Sequence, residues 1–321
     1  MLQKDSIDLV IPVYNEDQCL DELMRRLLAF KKSHSSLELN FIFINDGSKD
    51  LSLQILNNFA LQYPFVKVIS LSRNFGHQKA ITAGIDFSTG DYVAIIDADL
   101  QDPPEMIIDM YQKAKTGFDV VYGKRVSREG ESFLKKLTAK YFYRLLSELC
   151  DTDIPKDTGD FRLISRKVAD QLKLMRESHR FIRGMVPWLG FKSFALPYDR
   201  DKRYSGVTKY PFKKMFLFAL DAILSFSITP LRIASYIGLG IVGMGTLGAL
   251  FILYLKVFTP YTVPGLTAVI LLIFIIGGIQ ILMLGIIGEY VGKNFEASKK
   301  RPLYIVDQAL NFTLENDPKN Q

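Results

Sequence analysis

Two carboxylates one residue apart, Asp97 and Asp99, end an apolar run that opens at Tyr92, and Gln101, Asp102 and the pair Pro103-Pro104 come directly after them. Read as a buried strand, the run 92–96 delivers both acids to a sheet edge, because residues i and i+2 of an extended chain point the same way. Two hard oxygen donors on one side suit a divalent cation that keeps room for phosphate oxygens. Mg²⁺ or Mn²⁺ with a nucleoside diphosphate is the chemistry this pattern favours. A solvated Asp-rich turn after a strand is the plain alternative, since Asp favours turns for local reasons. The Pro pair can open the helix that follows.

The elements that must position these acids alternate. Apolar runs at 7–13, 41–44, 66–71, 92–96 and 120–122 read as strands. Between them, Leu20, Leu23, Leu27 and Leu28 fall on one face of an amphipathic helix, and a second helix is expected around 51–61. Such alternation implies right-handed crossovers and a mainly parallel sheet with helices on both faces. Ligands of such sheets bind beyond the carboxyl ends of the strands. Three of those ends carry acids: Glu16, Asp46 and the Asp97/Asp99 pair. Taken singly, Asp46-Gly47-Ser48 reads equally as a turn and helix cap, and Glu16 as a first-turn acid near a helix dipole. Taken together they read as a binding rim, in which Asp46 can accept hydrogen bonds from a pyrimidine edge or a ribose and Tyr14 can stack or line the pocket.

Hydrophobicity is unevenly spread along the 321 residues, and segments 233–255 and 257–288 contain no charged side chain. Each exceeds the roughly 20 residues that cross a bilayer core, so two transmembrane helices joined by the turn 256–264 are expected. Arg200, Lys202, Arg203, Lys209, Lys213, Lys214 and Arg232 precede the first; Lys293, Lys299, Lys300 and Arg301 follow the second; Lys256 alone lies between. By the positive-inside rule both termini are cytoplasmic, and no apolar signal-peptide stretch follows Lys4 and Asp5. Met215, Leu217, Phe218, Leu220, Ile223, Leu224 and Phe226, interrupted by Lys213, Lys214 and Asp221, suit a helix lying in the interface. The expected organisation is a sheet domain over 1–210, an interface helix over 211–230, a transmembrane hairpin over 231–290 and a cytoplasmic tail over 291–321.

Other classes are disfavoured. The net charge of +6 is concentrated where the soluble part meets the membrane, which fits anionic lipid, and no nucleic-acid module or long basic run is present. Cys19 and Cys150 are expected as free thiols in a reducing compartment, and His34, His77 and His179 lack metal-ligand spacing with each other or with cysteine. Two G-x-G-x-x-G matches, from Gly238 to Gly243 and from Gly243 to Gly248, fall inside the first apolar segment, where small residues allow close helix packing.

The segments Ile11-Pro-Val-Tyr-Asn-Glu16, Asn45-Asp-Gly-Ser-Lys-Asp50, Leu71-Ser-Arg-Asn-Phe-Gly76 and Asp97-Ala-Asp-Leu-Gln-Asp-Pro-Pro104 resemble the family-2 glycosyltransferases with the A-type (GT-A) nucleotide-sugar fold. Asp157-Thr-Gly-Asp-Phe-Arg162, Arg203-Tyr-Ser-Gly-Val-Thr-Lys209 and Gly288-Glu-Tyr-Val-Gly292 narrow the likeness to the polyprenyl-phosphate branch, the bacterial undecaprenyl-phosphate glucosyl- or aminosugar-transferases of the bactoprenol type and their cousin dolichol-phosphate mannose synthase. The resemblance implies that Pro12, Tyr14, Glu16 and Asp46 hold the nucleotide, with Asp97, Asp99 and Gln101 arranging metal and diphosphate. It further implies Asp160 as catalytic base, Arg125 and Arg128 on the acceptor phosphate, and Arg203 and Lys209 closing over the diphosphates. Many relatives have Thr where this chain has Lys124. The implied partners are a UDP-sugar, undecaprenyl phosphate and membrane lipids, in a homo-oligomer that is tetrameric in relatives, at the bacterial inner membrane.

The implied reaction is an inverting attack of a lipid phosphate oxygen on the anomeric carbon, the nucleoside diphosphate leaving on the cation. Because a phosphate monoester is largely ionised at neutral pH, Asp160 can position as much as deprotonate, or simply cap a turn. Glucose is the first-choice sugar, followed by N-acetylhexosamines and 4-amino-arabinose. A processive polysaccharide synthase, which usually needs more spans and a Gln-x-x-Arg-Trp motif absent here, and a non-enzymatic membrane scaffold are the rival readings.

Overall fold

The computed structural model describes residues 4–126, 158–178, 180–199, 229–258 and 265–312. Arg128, Arg203, Lys209, His179, Cys150 and the expected interface helix as far as residue 228 lie outside them.

An eight-stranded sheet, in the order β7-β5-β6-β4-β1-β2-β3-β8, forms the body of the first of two compact units. Its centre is β1 (Ser6–Val13), flanked in parallel by β2 (Glu38–Asn45) and β4 (Tyr92–Ile95), with β3 (Val66–Leu71) parallel to β2. Strands covered on both faces read as unbroken apolar runs, and Ile7, Leu9, Val10, Ile11 and Val13 of β1 are all buried. Between the strands run α1 (Asp17–Ser33), α2 (Ser52–Gln62), α3 (His77–Asp86) and α4 (Met106–Lys115). In α1 the buried set is Cys19, Leu20, Leu23, Met24, Leu27 and Phe30, the spacing of a helix that lays one stripe on a sheet. Cys19 is a free thiol.

The sheet is mixed, with a parallel core, and it is wider than the five expected strands. β5 (Val120–Arg125) is joined by β6 (Thr158–Ser165), which inserts antiparallel between β4 and β5, and by β7 (Ser193–Tyr198), parallel to β5. Two helices, α5 (Arg166–Leu174) and α6 (Ile182–Trp188), lie between β6 and β7. At the other edge β8 (Val306–Leu310) runs antiparallel to β3. Tail residues 301–312 therefore belong to the same compact unit as the first strands, rather than forming a separate appendage.

The second unit contains α7 (Thr229–Phe258) and α8 (Leu266–Ser298). At about 1.5 Å per residue each exceeds the thickness of a bilayer core. Among the described residues one segment, Ile276–Ser298 of α8, has both the length and the apolarity of a membrane span, where two spans are expected from the sequence. Leu239, Leu247, Phe251 and Val257 on α7 and Leu272, Ile273, Ile281 and Leu284 on α8 are exposed, a surface that asks for an apolar surrounding.

Candidate active site

The order β4-β1-β2 sets the three acid-bearing strand ends side by side. Pro12 lies past the last β1–β4 pair, Val10 with Ile95, so its missing N–H leaves no gap in that ladder. Tyr14 stands at the surface, 36% exposed, and Asn15 takes positive φ at the strand exit. The loops after β1 and β2 are bolted together: the Asn15 N–H donates to Ser48 Oγ at 3.0 Å, the Lys49 N–H to Asn15 Oδ1 at 2.8 Å, the Glu16 N–H to Ser52 Oγ at 3.0 Å and the Asp17 N–H to Asp50 Oδ2 at 3.2 Å. Glu16 precedes the first turn of α1.

Asp46 is buried, and each carboxylate oxygen accepts a backbone N–H from the loop after β3, Phe75 at 2.7 Å and Gly76 at 2.9 Å. Burial raises its pKa against those two bonds. Gly47 makes the close approach feasible: its φ is +65°, and a Cβ there would lie 2.4 Å from the Arg73 carbonyl carbon. Asp46 thus fixes a third strand-end loop, and both of its oxygens are engaged in doing so.

The Asp97/Asp99 pair differs from its expected geometry. β4 ends at Ile95, Ile96 still donates to the Val10 carbonyl at 3.1 Å, and the chain then turns, with buried Leu100 at φ 61°. Asp99 lies in that turn and Asp97 immediately before it, so the pair does not continue the strand: β4 stops pairing at Val10 although β1 itself runs on to Val13. A non-glycine residue in that region carries strain, a feature that clusters at functional sites. Asp99 Oδ1 accepts the Gln101 N–H at 3.2 Å. Asp97 Oδ1 is out of reach of solvent and accepts no hydrogen bond. Burial, reinforced by the charges of Asp102, Asp160 and Asp99 and opposed by His77, pushes the Asp97 carboxyl up to about 6. Among the described residues no three His, Cys, Asp or Glu side chains enclose a metal by themselves.

Asp160 on β6 is the hub. Its buried carboxylate takes Arg183 of α6 through Nε to Oδ1 at 3.0 Å and Nη2 to Oδ2 at 2.9 Å, Gln78 Nε2 to Oδ2 at 3.1 Å, and His77 Nε2 at 3.2 Å. Burial alone would raise its pKa, but the charge and hydrogen bonds of Arg183 and His77 hold it well below the usual carboxylate range. A carboxylate saturated in this way is a poor proton acceptor. His77 Nε2 also lies 3.5 Å from Asp97 Oδ1. Burial works against its protonation, yet the hydrogen bond to Asp160 and the charges of Asp97 and Asp160 push the imidazole up to about 9. Gln78 Oε1 accepts the Ile182 N–H at 2.9 Å, so one amide ties α3, β6 and α6 together.

Arg125, ending β5, lies beside Gly159, and its Nε is buried without an acceptor. Tyr198, opposite Arg125 on β7, donates to Asp102 Oδ1 at 2.5 Å. Lys124 points to solvent. His77, Gln78, Asp102, Arg183 and Tyr198 were not singled out as site residues from the sequence. For His77 and Gln78 a signal existed: they follow Leu71-Ser-Arg-Asn-Phe-Gly76 at a fourth strand end. Nothing in local spacing marks Arg183, which arrives from a seven-residue helix.

These features define an α/β protein with an acid-rich rim at adjacent parallel strand ends, backed by a buried carboxylate held among cations. Residues 8–173 match the family model of Glycosyl transferase family 2, and the chain belongs to that family. It is 49% identical over 309 residues to an uncharacterized glycosyltransferase of Bacillus subtilis (strain 168), covering 96% of this chain and 94% of that one. To the bactoprenol glucosyl transferase of Shigella phage SfV it is 38% identical over 301 residues, covering 94% and 97%. A mannosyl-3-phosphoglycerate synthase structure from Rubrobacter xylanophilus overlays with a TM-score of 0.48 at 14% identity, covering 72% of this chain and 75% of that one.

Proposed function

We propose that this glycosyltransferase carries out inverting transfer of a sugar, glucose first, from a UDP-sugar to a polyprenyl phosphate of the undecaprenyl type. The observation that carries the reading is the buried Asp97 Oδ1, which accepts no hydrogen bond and faces His77 at 3.5 Å, at a turn crowded with carboxylates beside a rim built from three strand ends. That oxygen and the raised Asp97 pKa fit a divalent cation, which Asp97, Asp99 and Gln101 would hold. Bound Mg²⁺ or Mn²⁺ would supply positive charge for the leaving diphosphate. The rim of Pro12, Tyr14, Glu16 and Asp46 takes the nucleotide on the A-type fold. A phosphate oxygen of the acceptor forms the new bond to the anomeric carbon as the bond to the nucleoside diphosphate breaks, which inverts that centre. The attacking phosphate is already an anion, so no strong base is needed, and Asp160 serves as fixed counter-charge. The relatives named for bactoprenol glucosyl transfer support lipid phosphate as acceptor. Two spans in the inner membrane, with Arg203 and Lys209 on the segment before the first, keep the sheet domain and both ends of the chain cytoplasmic.

The test is purified protein with undecaprenyl phosphate, Mg²⁺ or Mn²⁺ and a panel of UDP-sugars, with products resolved as one sugar on lipid phosphate or as polymer. Asp99→Asn, or chelation by EDTA, is expected to abolish transfer while the protein remains folded. Full activity after chelation, or a polymeric product, defeats the reading.

A further inference from the structure

Cations converge on the dipeptide Gly159–Asp160 beyond what its single carboxylate balances. Arg183 places its fork on Asp160 at 3.0 and 2.9 Å. Arg162, buried in the same strand, folds back to donate to the carbonyls of Gly159 at 3.0 Å and Asp160 at 3.2 Å. Arg125 comes from the neighbouring strand so closely that a Cβ on Gly159 would lie 2.9 Å from its Nη2, and its Nε is buried with no acceptor. Three guanidinium groups therefore surround one peptide unit that supplies one negative charge, and one of their donors is unused. Buried donors are normally paired, so an orphan of this kind calls for an explanation, and an acceptor group drawn to the cluster of guanidinium groups supplies one. Guanidinium forks match phosphate oxygens in geometry as well as charge.

The sheet order separates this cluster from the nucleotide rim. The acids assigned to the nucleotide end β1 and β2, whereas Arg125 and Asp160 lie on β5 and β6, across β4. Arg183 is 35% exposed while Asp160 beneath it is 1% exposed, so the cation, and not the carboxylate, meets a ligand arriving from outside. Resting on the lipid-phosphate reading above, we propose that Arg183 joins Arg125 in seating the phosphate monoester of the acceptor over Gly159–Asp160, with Asp160 holding the Arg183 fork in place. The same anion chemistry could come from the nucleoside diphosphate, and the test separates the two sources.

The experiment uses the full chain in detergent, with a short prenyl monophosphate, farnesyl phosphate, as acceptor and UDP with Mn²⁺ titrated separately by calorimetry. Arg183→Gln should raise the acceptor KM about 10- to 100-fold, the effect of losing a charge-assisted hydrogen bond, with the UDP Kd unchanged within about twofold. Arg183→Lys should fall between, since a point charge replaces a fork. Gly159→Ala, whose new methyl displaces only the flexible end of Arg125, should raise the acceptor KM by about tenfold. Weakened UDP binding with an unchanged acceptor KM would hand Arg183 to the nucleotide and overturn the proposal. Lowered thermal stability with both constants unchanged would leave Arg183 only an architectural ion pair, which also overturns it. If Arg183→Gln does not fold, normal acceptor KM values for both Arg183→Lys and Gly159→Ala are decisive against it. A wild-type protein that glycosylates no prenyl phosphate from any UDP-sugar defeats the functional reading itself. Calorimetric binding of farnesyl phosphate, lost in Arg183→Gln, would then still support the seat, and its absence or its indifference to the substitution would overturn it.

Discussion

At the residue scale Asp160 is held as an anion by its surroundings, and its stability contribution has a definite pH window. The unfolded carboxyl titrates near 3.8 and the folded one well below, so the contribution is complete above that value and is lost as pH falls towards the folded pKa. Asp160→Asn strands Arg183 and His77 beside a neutral amide and should cost about 3–5 kcal/mol near neutrality, the usual effect of breaking a buried pair. Urea denaturation between pH 6 and 3 should show the gap between wild type and variant narrowing with acid. A gap that stays constant would mean that the carboxylate is not the titrating source. His77 behaves in the opposite sense: with its pKa raised from 6.5 to about 9, its contribution is complete below 6.5 and disappears as pH rises through 9. His77→Gln should therefore lose stability relative to wild type at pH 6 and approach it by pH 10, in the same assay.

At the scale of elements, the loops after β1, β2 and β3 form one unit because side chains of each satisfy backbone groups of another. Gly47 is its tightest point, needing both positive φ and the absence of a Cβ against the Arg73–Asn74 peptide. Gly47→Ala should cost at least about 2 kcal/mol, since strain in the left-handed region adds to a backbone clash. Because the displaced loop is the one Asp46 holds, UDP affinity measured by calorimetry should fall with it. Normal UDP affinity in a destabilised Gly47→Ala would separate this loop from the nucleotide site.

At the scale of the whole molecule, the chain leaves the sheet domain, forms α7 and α8, and returns as β8 on the edge of β3. Tyr304 donates to Asp86 at 2.7 Å, and Asn311 Nδ2 donates to the Ala60 carbonyl at 2.6 Å and the Val66 carbonyl at 2.8 Å. Phe87 packs against Tyr304 and Phe312. A fragment ending at residue 210 therefore lacks an edge strand of its own sheet and bares the β3 edge to aggregation. Fusing residues 301–312 to it through a flexible linker should raise its melting temperature by about 5 °C or more, as a gain of a few kcal/mol does for a domain of this size. Equal melting of the two fragments would show β8 to be dispensable.

The chain's own residue pattern determined the parallel core, because β1 to β4 are largely buried and so appear as mainly apolar runs, broken at Asp8 and Lys67, with an acid soon after β1, β2 and β4. It also determined which strand ends carry acids, since in alternating α/β chains the carboxyl ends share one side. The edges were another matter. β6 is broken in sequence by Asp160 and Arg162, whose charges are tolerable only because partners from α3 and α6 or the strand's own carbonyls meet them in three dimensions. β8 is five residues long and has no claim to be a strand until β3, more than 200 positions earlier, offers its edge. The same holds for the site: carboxylates at strand ends follow from local order, whereas the grip of Arg183, His77 and Gln78 on Asp160 joins segments as far apart as Gln78 and Ile182, 104 residues along the chain, and Coulomb and hydrogen-bond energies depend on distance in space, not along the chain.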